Sequence, residues 1–224
     1  MERLDEHEAF EMRALRWLAS KRFLGPLVMG GGTMLRLCHE LPRYSIDMDF
    51  WFYRGTDYGA FYERLSEATK REWDVTDACN KRYSILFEIR RVKDAPRLKI
   101  EIRKEVASPR SSEQKIAFSP HFPEQVMVRG FTLKQVLRNK VLALIDRGEI
   151  RDAFDMEFVL RKGIALEIAE EEKKAVVNRI RGFKKKDFDV KLGSVLLPEL
   201  RKYYREHRFE YLEQRLGFED WGKA

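Results

Sequence analysis

Cysteine is nearly absent from this chain: only Cys38 and Cys79 occur in 224 residues. They stand far apart, with no CxxC pair and no zinc-like spacing, which excludes a disulfide framework and a cysteine-based zinc module. There is no long apolar run, so no membrane span is expected. The opening Met1-Glu2-Arg3-Leu4-Asp5-Glu6 is too charged to read as a signal sequence. Together these absences point to a reducing, cytoplasmic setting. Glutamine and asparagine are scarce beside the many charged residues, a balance met in heat-adapted proteins. No internal repeat or low-complexity linker breaks the chain.

What the chain does have is charge. Lysine and arginine number 44 against 37 acidic residues, a formal balance of +7. A basic surplus is compatible with nucleic acid or another polyanion without specifying it. The length suits one ordinary domain or two small ones with a real core.

The chemistry-bearing residues concentrate in residues 28–52. Gly30-Gly31-Gly32 is followed by Thr33, between a short apolar strand at 26–29 and a helical pattern at 33–39. Glycines let a ligand approach the backbone, and a helix N-terminus offers unpaired N–H groups to phosphate. A ligand-free strand-to-helix turn would look the same. The pattern is neither a P-loop nor a dinucleotide fingerprint. Residues 45–51 then alternate polar and apolar, the signal of a half-buried strand. Ile46, Met48 and Phe50 would face the core, and Asp47 and Asp49 would share the other face with Ser45. Two carboxylates that close repel unless a cation sits between them. Mg²⁺ commonly uses one or two carboxylates plus substrate phosphates. The pair therefore suits a metal–nucleotide site; a solvated strand face is the plain alternative. Ser45 could touch a phosphate or make a loop hydrogen bond.

The rest of the chain reads in order. Residues 6–23 form an amphipathic helix with Phe10, Leu15, Trp17 and Leu18 apolar, and 57–71 form another. Strands follow at 84–89 and 97–103, joined by a charged hairpin loop at 92–96. In the second strand Leu98, Ile100 and Ile102 share one face; Lys99, Glu101 and Arg103 share the other. Glu101 is the natural third carboxylate if this strand lies beside Asp47 and Asp49. A surface glutamate paired with Lys99 or Arg103 is the alternative, and Glu88 and Glu105 compete for the role. Residues 108–123, with three prolines, read as loop, and 125–128 as a last short strand. After an N-cap at Thr132, Leu133, Val136, Leu137, Val141, Leu144 and Ile145 form an apolar stripe with Lys140 inside it. A buried lysine is costly unless its ammonium reaches water or an anion. A triphosphate would meet that need, and so would snorkelling to the rim. Arg151 and Asp155, further on, have the spacing of a helix-surface pair. From 164 onward the pattern is helical, with final helices near 194–204 and 206–216. Arg179, Arg181 and Lys184–Lys186 form a basic cluster suited to an RNA backbone or to an exposed loop. Strands give way to helices near Gly130, which divides the chain into 1–130 and 131–224.

Two stretches carry a family resemblance. Gly31-Gly32-Thr33 followed by Arg43-x-Ser45-x-Asp47-x-Asp49-Phe50 resembles the nucleotidyltransferase superfamily related to DNA polymerase β, and more narrowly the AbiEii/AbiGii toxin group. The run Lys140…Arg147…Arg151-Asp152-x-x-Asp155 resembles a second motif of that group, in the same order. The spacer from Gly32 to Asp47 is slightly longer than in the minimal superfamily pattern. The resemblance implies an α+β fold: a nucleotidyltransferase domain (1–130) with a mixed sheet and flanking helices, then a helical C-terminal domain (131–224) that closes the nucleotide cleft. It implies Mg²⁺- or Mn²⁺-dependent transfer of a nucleoside monophosphate from an NTP. Asp47, Asp49 and Glu101 would hold metal. Gly31, Gly32, Thr33 and Ser45 would bind nucleotide, Lys140 would contact phosphate, and Asp152 would belong to the active site. It further implies a toxin that modifies an RNA such as tRNA, with a cognate antitoxin. The rivals are a small-molecule or protein nucleotidyltransferase, a non-catalytic nucleotide- or RNA-binding relative, and a helical adaptor with a decorative D-x-D.

Overall fold

Alternating apolar residues build a central sheet, and helices cover its apolar face. The computed structural model describes residues 2–93 and 95–217; Asp94, within the expected 92–96 loop, lies outside the described residues. The chain divides into two units, Met1–Thr132 and Leu133–Ala224.

The first unit opens with α1 (Glu2–Ser20), followed by β1 (Leu27–Gly30), α2 (Gly31–His39), β2 (Asp47–Phe52) and α3 (Tyr58–Glu72). Five strands complete it: β3 (Asp74–Asn80), β4 (Ser84–Arg90), β5 (Leu98–Val106), β6 (Ser112–Ala117) and β7 (Val126–Phe131). They form one seven-stranded mixed sheet in the order β3-β4-β5-β2-β1-β7-β6. β2 runs parallel to β5 and β1 parallel to β7; the other pairs are antiparallel. Met48, Phe50 and Phe52 of β2 are buried, as are Leu98, Ile100 and Ile102 of β5 and Ile85, Phe87 and Ile89 of β4. Phe61 of α3 packs edge-on against Phe52 at 5.2 Å, and Tyr62 lies 5.7 Å from Phe87. The Asp57 carboxylate caps α3 by accepting from the Ala60 N–H at 3.0 Å.

Two expectations need correction here. Ile46 does not join the core: it precedes β2 and is 42 % exposed. Residues 108–123 are not all loop, because 112–117 form edge strand β6, antiparallel to β7.

The second unit is helical: α4 (Leu133–Arg147), α5 (Ile150–Arg161), α6 (Glu170–Arg181), a π-helical turn at Asp187–Leu192, α7 (Pro198–His207) and α8 (Glu210–Arg215). Its core gathers Phe154, Phe183, Phe188, Tyr204 and Phe209, with ring centroids 5.0–6.4 Å apart. The buried Glu157 carboxylate accepts from the Tyr204 hydroxyl at 2.9 Å, the Leu212 N–H at 3.3 Å and the Arg161 guanidinium at 3.0 Å. A buried carboxylate is tolerable only with such partners. Among the described residues no helix is long and apolar enough to cross a membrane.

Candidate active site

Strand pairing assembles the site. β1 delivers Gly30 opposite Asp49, and the chain turns straight into α2. The parallel register of β2 and β5 sets Asp47 opposite Lys99 and Asp49 opposite Glu101. Successive residues on a strand alternate faces, so Asp47, Asp49, Lys99 and Glu101 all lie on the face opposite the apolar core. Strand pairing thus places Glu101 beside the aspartates.

The glycine turn has a reason at two positions. Gly31 adopts φ +69°, and a Cβ there would strike the Asp49 carboxylate. Only glycine takes this left-handed geometry without cost while allowing the carboxylate so close. The Asp49 charge is thereby seated at the positive end of α2. A Cβ on Gly32 would strike the Arg43 guanidinium and come within 2.9 Å of Ser45 Oγ. The glycines, Arg43, Ser45 and Asp49 therefore form one contiguous cluster. Thr33 is fully buried, and its hydroxyl donates to the Asp47 backbone carbonyl at 2.6 Å. That bond fixes the start of β2. Phosphate recognition at this turn would therefore fall to the backbone N–H groups of α2 rather than to the Thr33 hydroxyl.

The electrostatics are lopsided. The Lys99 ammonium lies 3.3 Å from Glu101 Oε2 and 3.8 Å from Asp47 Oδ2. Partial burial works to lower the Lys99 pKa, but the charges of Asp47, Glu101 and Asp49 outweigh it, and the pKa is raised. Arg103, the other expected partner of Glu101, instead stacks its guanidinium 5.2 Å over Trp51. Three carboxylates are thus gathered near the Lys99 ammonium, with the Arg43 guanidinium against the adjoining glycine turn. Such an all-oxygen donor set, with a cation already drawn into it, fits a hard divalent ion. Among the described residues, no three His, Cys, Asp or Glu side chains converge closely enough to hold a metal ion by themselves. Substrate phosphates would complete the coordination.

Residues that the sequence reading passed over support β2 from behind. Glu8 and Glu11 of α1 are both buried. Glu8 is satisfied by Arg36 at 2.7 Å and the Ser119 hydroxyl at 2.6 Å. Glu11 Oε1 lies 3.4 Å from the Thr33 hydroxyl. The single proton of that hydroxyl goes to the Asp47 carbonyl, which can only accept. Glu11 can close that contact fully only by carrying a proton itself. Burial, followed by the charge of Glu8, pushes the Glu11 pKa well above its ordinary value, in agreement. His7 accompanies them: one ring nitrogen lies 3.1 Å from the Ile46 carbonyl, and burial lowers its pKa. The signal was present, since Glu8, Glu11, Leu15 and Leu18 recur at helical spacing on one buried face.

In the second unit Lys140 meets its anions from the next helix. Its ammonium lies 3.0 Å from Asp152 and 2.7 Å from Asp155. Arg147 grips Asp152 through two bonds of 2.7 Å. Burial raises the Asp152 pKa, but Arg147 and Lys140 outweigh it and the pKa is lowered. Asp155 is fully buried, so it does not form a surface pair with Arg151.

A mixed sheet carrying a D-x-D strand beside a glycine-opened helix, with a third carboxylate on the parallel neighbour, defines a nucleotidyltransferase-type fold. A family model described as "Nucleotidyl transferase AbiEii toxin, Type IV TA system" matches residues 13–222, and the chain belongs to that family. It is a nucleotidyltransferase of the toxin–antitoxin class. Solved structures share the fold. JHP933 from Helicobacter pylori is 20 % identical with TM-score 0.52, over 93 % of this chain and 96 % of that one. MenT4, a nucleotidyltransferase toxin from Mycobacterium tuberculosis, is 15 % identical with TM-score 0.52, over 94 % and 84 %. An antigenic nucleotidyltransferase-like protein from Paracoccidioides brasiliensis is 15 % identical with TM-score 0.50, over 89 % and 97 %. No curated protein matches the chain.

Proposed function

We propose that this enzyme transfers a nucleoside monophosphate from an NTP to an RNA acceptor such as tRNA, with Mg²⁺ or Mn²⁺ bound at Asp47, Asp49 and Glu101. The observation that carries this reading is the β2–β5 register, which sets Glu101 opposite Asp49 beside the Gly31 turn. When bound, the divalent ion supplies charge stabilisation for the phosphates and the departing pyrophosphate. Gly31 and Gly32 open α2, whose first N–H groups are the phosphate donors this reading requires. Ser45, against Gly32, adds a hydroxyl to the same place. Thr33 contributes by anchoring Asp47. The family resemblance implies a role toward nucleotide for Lys140 and Asp152; within the helical unit Lys140 pairs with Asp152 and Asp155, and Arg147 with Asp152. The +7 balance favours a polyanionic acceptor over a small molecule. The family's toxin–antitoxin membership supports a cognate antitoxin, acting in the cytoplasm.

The test is incubation with Mg²⁺ and each labelled NTP in turn, with and without total tRNA, beside Asp47→Ala. Label appears on RNA only with intact Asp47. Label on protein instead would keep the chemistry and overturn the acceptor; no label and no divalent-dependent nucleotide binding would overturn the whole reading.

A further inference from the structure

The acidic cluster already contains a cation of its own. Lys99 is aligned with Asp47 across the parallel ladder, and its ammonium reaches both Asp47 and Glu101. These are two of the three carboxylates that the proposed function gives to the divalent ion, and the inference rests on that reading. An ammonium and a divalent ion cannot both sit between the same oxygens, because like charges at such a separation repel strongly.

We infer that Lys99 is a positioning residue that competes with the divalent cation and makes metal binding depend on nucleotide. Without nucleotide, the ammonium neutralises Asp47 and Glu101 and holds the metal affinity down. When an NTP arrives, its phosphates offer Lys99 another anion and offer the metal further oxygens, so both can be accommodated. The lysine thereby keeps the three carboxylates from mutual repulsion in the resting protein. It also ties tight metal capture to the presence of substrate. Arg103, on the same face, is held over Trp51 and does not take this role.

The experiment is a Mn²⁺ titration of the full chain, followed by the electron paramagnetic resonance signal of free Mn²⁺, with and without a non-hydrolysable NTP analogue. In the absence of nucleotide, Lys99→Met binds Mn²⁺ about tenfold or more tighter than wild type, as removal of a nearby unit positive charge implies. Lys99→Arg, which keeps the charge, binds as weakly as wild type. The analogue tightens Mn²⁺ binding by wild type far more than by Lys99→Met, and so narrows the difference. Equal or weaker binding by Lys99→Met, in samples where Asp47→Asn abolishes binding, overturns this inference alone. No Mn²⁺ binding by either protein, with or without the analogue, overturns the metal reading and this inference with it. Lys99 is only partly buried, and a melting curve for each variant verifies that the compared samples are folded.

Discussion

The molecule holds two clusters built from the same materials, basic side chains and carboxylates, in different proportion. On the sheet, Asp47, Asp49 and Glu101 lie near the Lys99 ammonium, with the Arg43 guanidinium against the adjoining glycine turn, and Asp47, Lys99 and Glu101 are all partly open to solvent. Between α4 and α5, Asp152 and Asp155 face two cations, Lys140 and Arg147, and both carboxylates are fully buried. A balanced, buried cluster satisfies itself and ties two helices together. An open cluster with surplus negative charge leaves work for a ligand. The lesson is that a lysine among acids is not by itself a site; the count of charges and their exposure decide.

Substitutions that remove one charge from each cluster should have opposite consequences. Asp49→Asn lowers nucleotidyl transfer by roughly a hundredfold or more, because it removes a group acting on the reacting phosphates. It leaves the melting temperature near that of wild type, since relief of repulsion among the carboxylates offsets the loss of the charge seated at the start of α2. Asp152→Asn costs about 3 kcal/mol of stability, because it leaves the buried Lys140 ammonium with one carboxylate fewer. Denaturant melts alongside a transfer assay measure both. An Asp152→Asn protein that is fully stable yet inactive would break the comparison and give Asp152 to the nucleotide.

How much of this was legible in the sequence follows from what each residue packs against. Strand β2 could be read because Met48, Phe50 and Phe52 alternate with residues on an open face. Strands β3 and β6 could not. They are the two edges of the sheet, and neither shows alternating burial of apolar residues. Edge strands with polar sequences lose the period-2 signal, and pairing with their one neighbour carries them instead. Lys140 could be seen to lie on a buried face of α4, but its anions come from α5, across a turn that sequence spacing does not resolve. The three carboxylates could be named as candidates. The register that sets Glu101 rather than Glu88 or Glu105 opposite Asp49 is a matter of strand pairing.

Two glycines with the same backbone demand offer a smaller, sharper contrast. Gly31 has φ +69° and sits against the Asp49 carboxylate; Gly163, in the helical unit, has φ +86° with nothing within 4 Å of the added Cβ. Alanine at either position incurs backbone strain of about 1–2 kcal/mol. Gly163→Ala shows only that loss in a thermal melt and transfers nucleotide normally. Gly31→Ala also displaces Asp49, so its activity falls well beyond what the loss of stability accounts for. Equal activities in the two variants would separate the glycine turn from the chemistry.

The smallest effect concerns Glu8 and Glu11, neighbours on α1 that differ in their partners. Glu8 has Arg36 for a counter-charge, whereas Glu11 has the Thr33 hydroxyl at 3.4 Å and the His7 ring at 3.8 Å, and burial raises its pKa. The native chain therefore keeps a proton that the unfolded chain releases once pH passes the ordinary glutamate value of 4.5. A folded-state pKa that is raised contributes stability at low pH and loses it as pH rises toward the folded value. Gln at this position takes up no proton and is nearly isosteric. The melting temperature of Glu11→Gln relative to wild type should rise as pH climbs from the ordinary glutamate value of 4.5 toward the raised folded-state value. His7 Nε2 lies 3.8 Å from Glu11 Oε1, so the same pH series on a His7→Gln background separates its titration from that of Glu11. A difference that is flat with pH, or that reverses, would mean that Glu11 is ionised in the native state. The proton linking Glu11 through Thr33 to the backbone of Asp47 would then be absent, and β2 would begin against a bare buried charge.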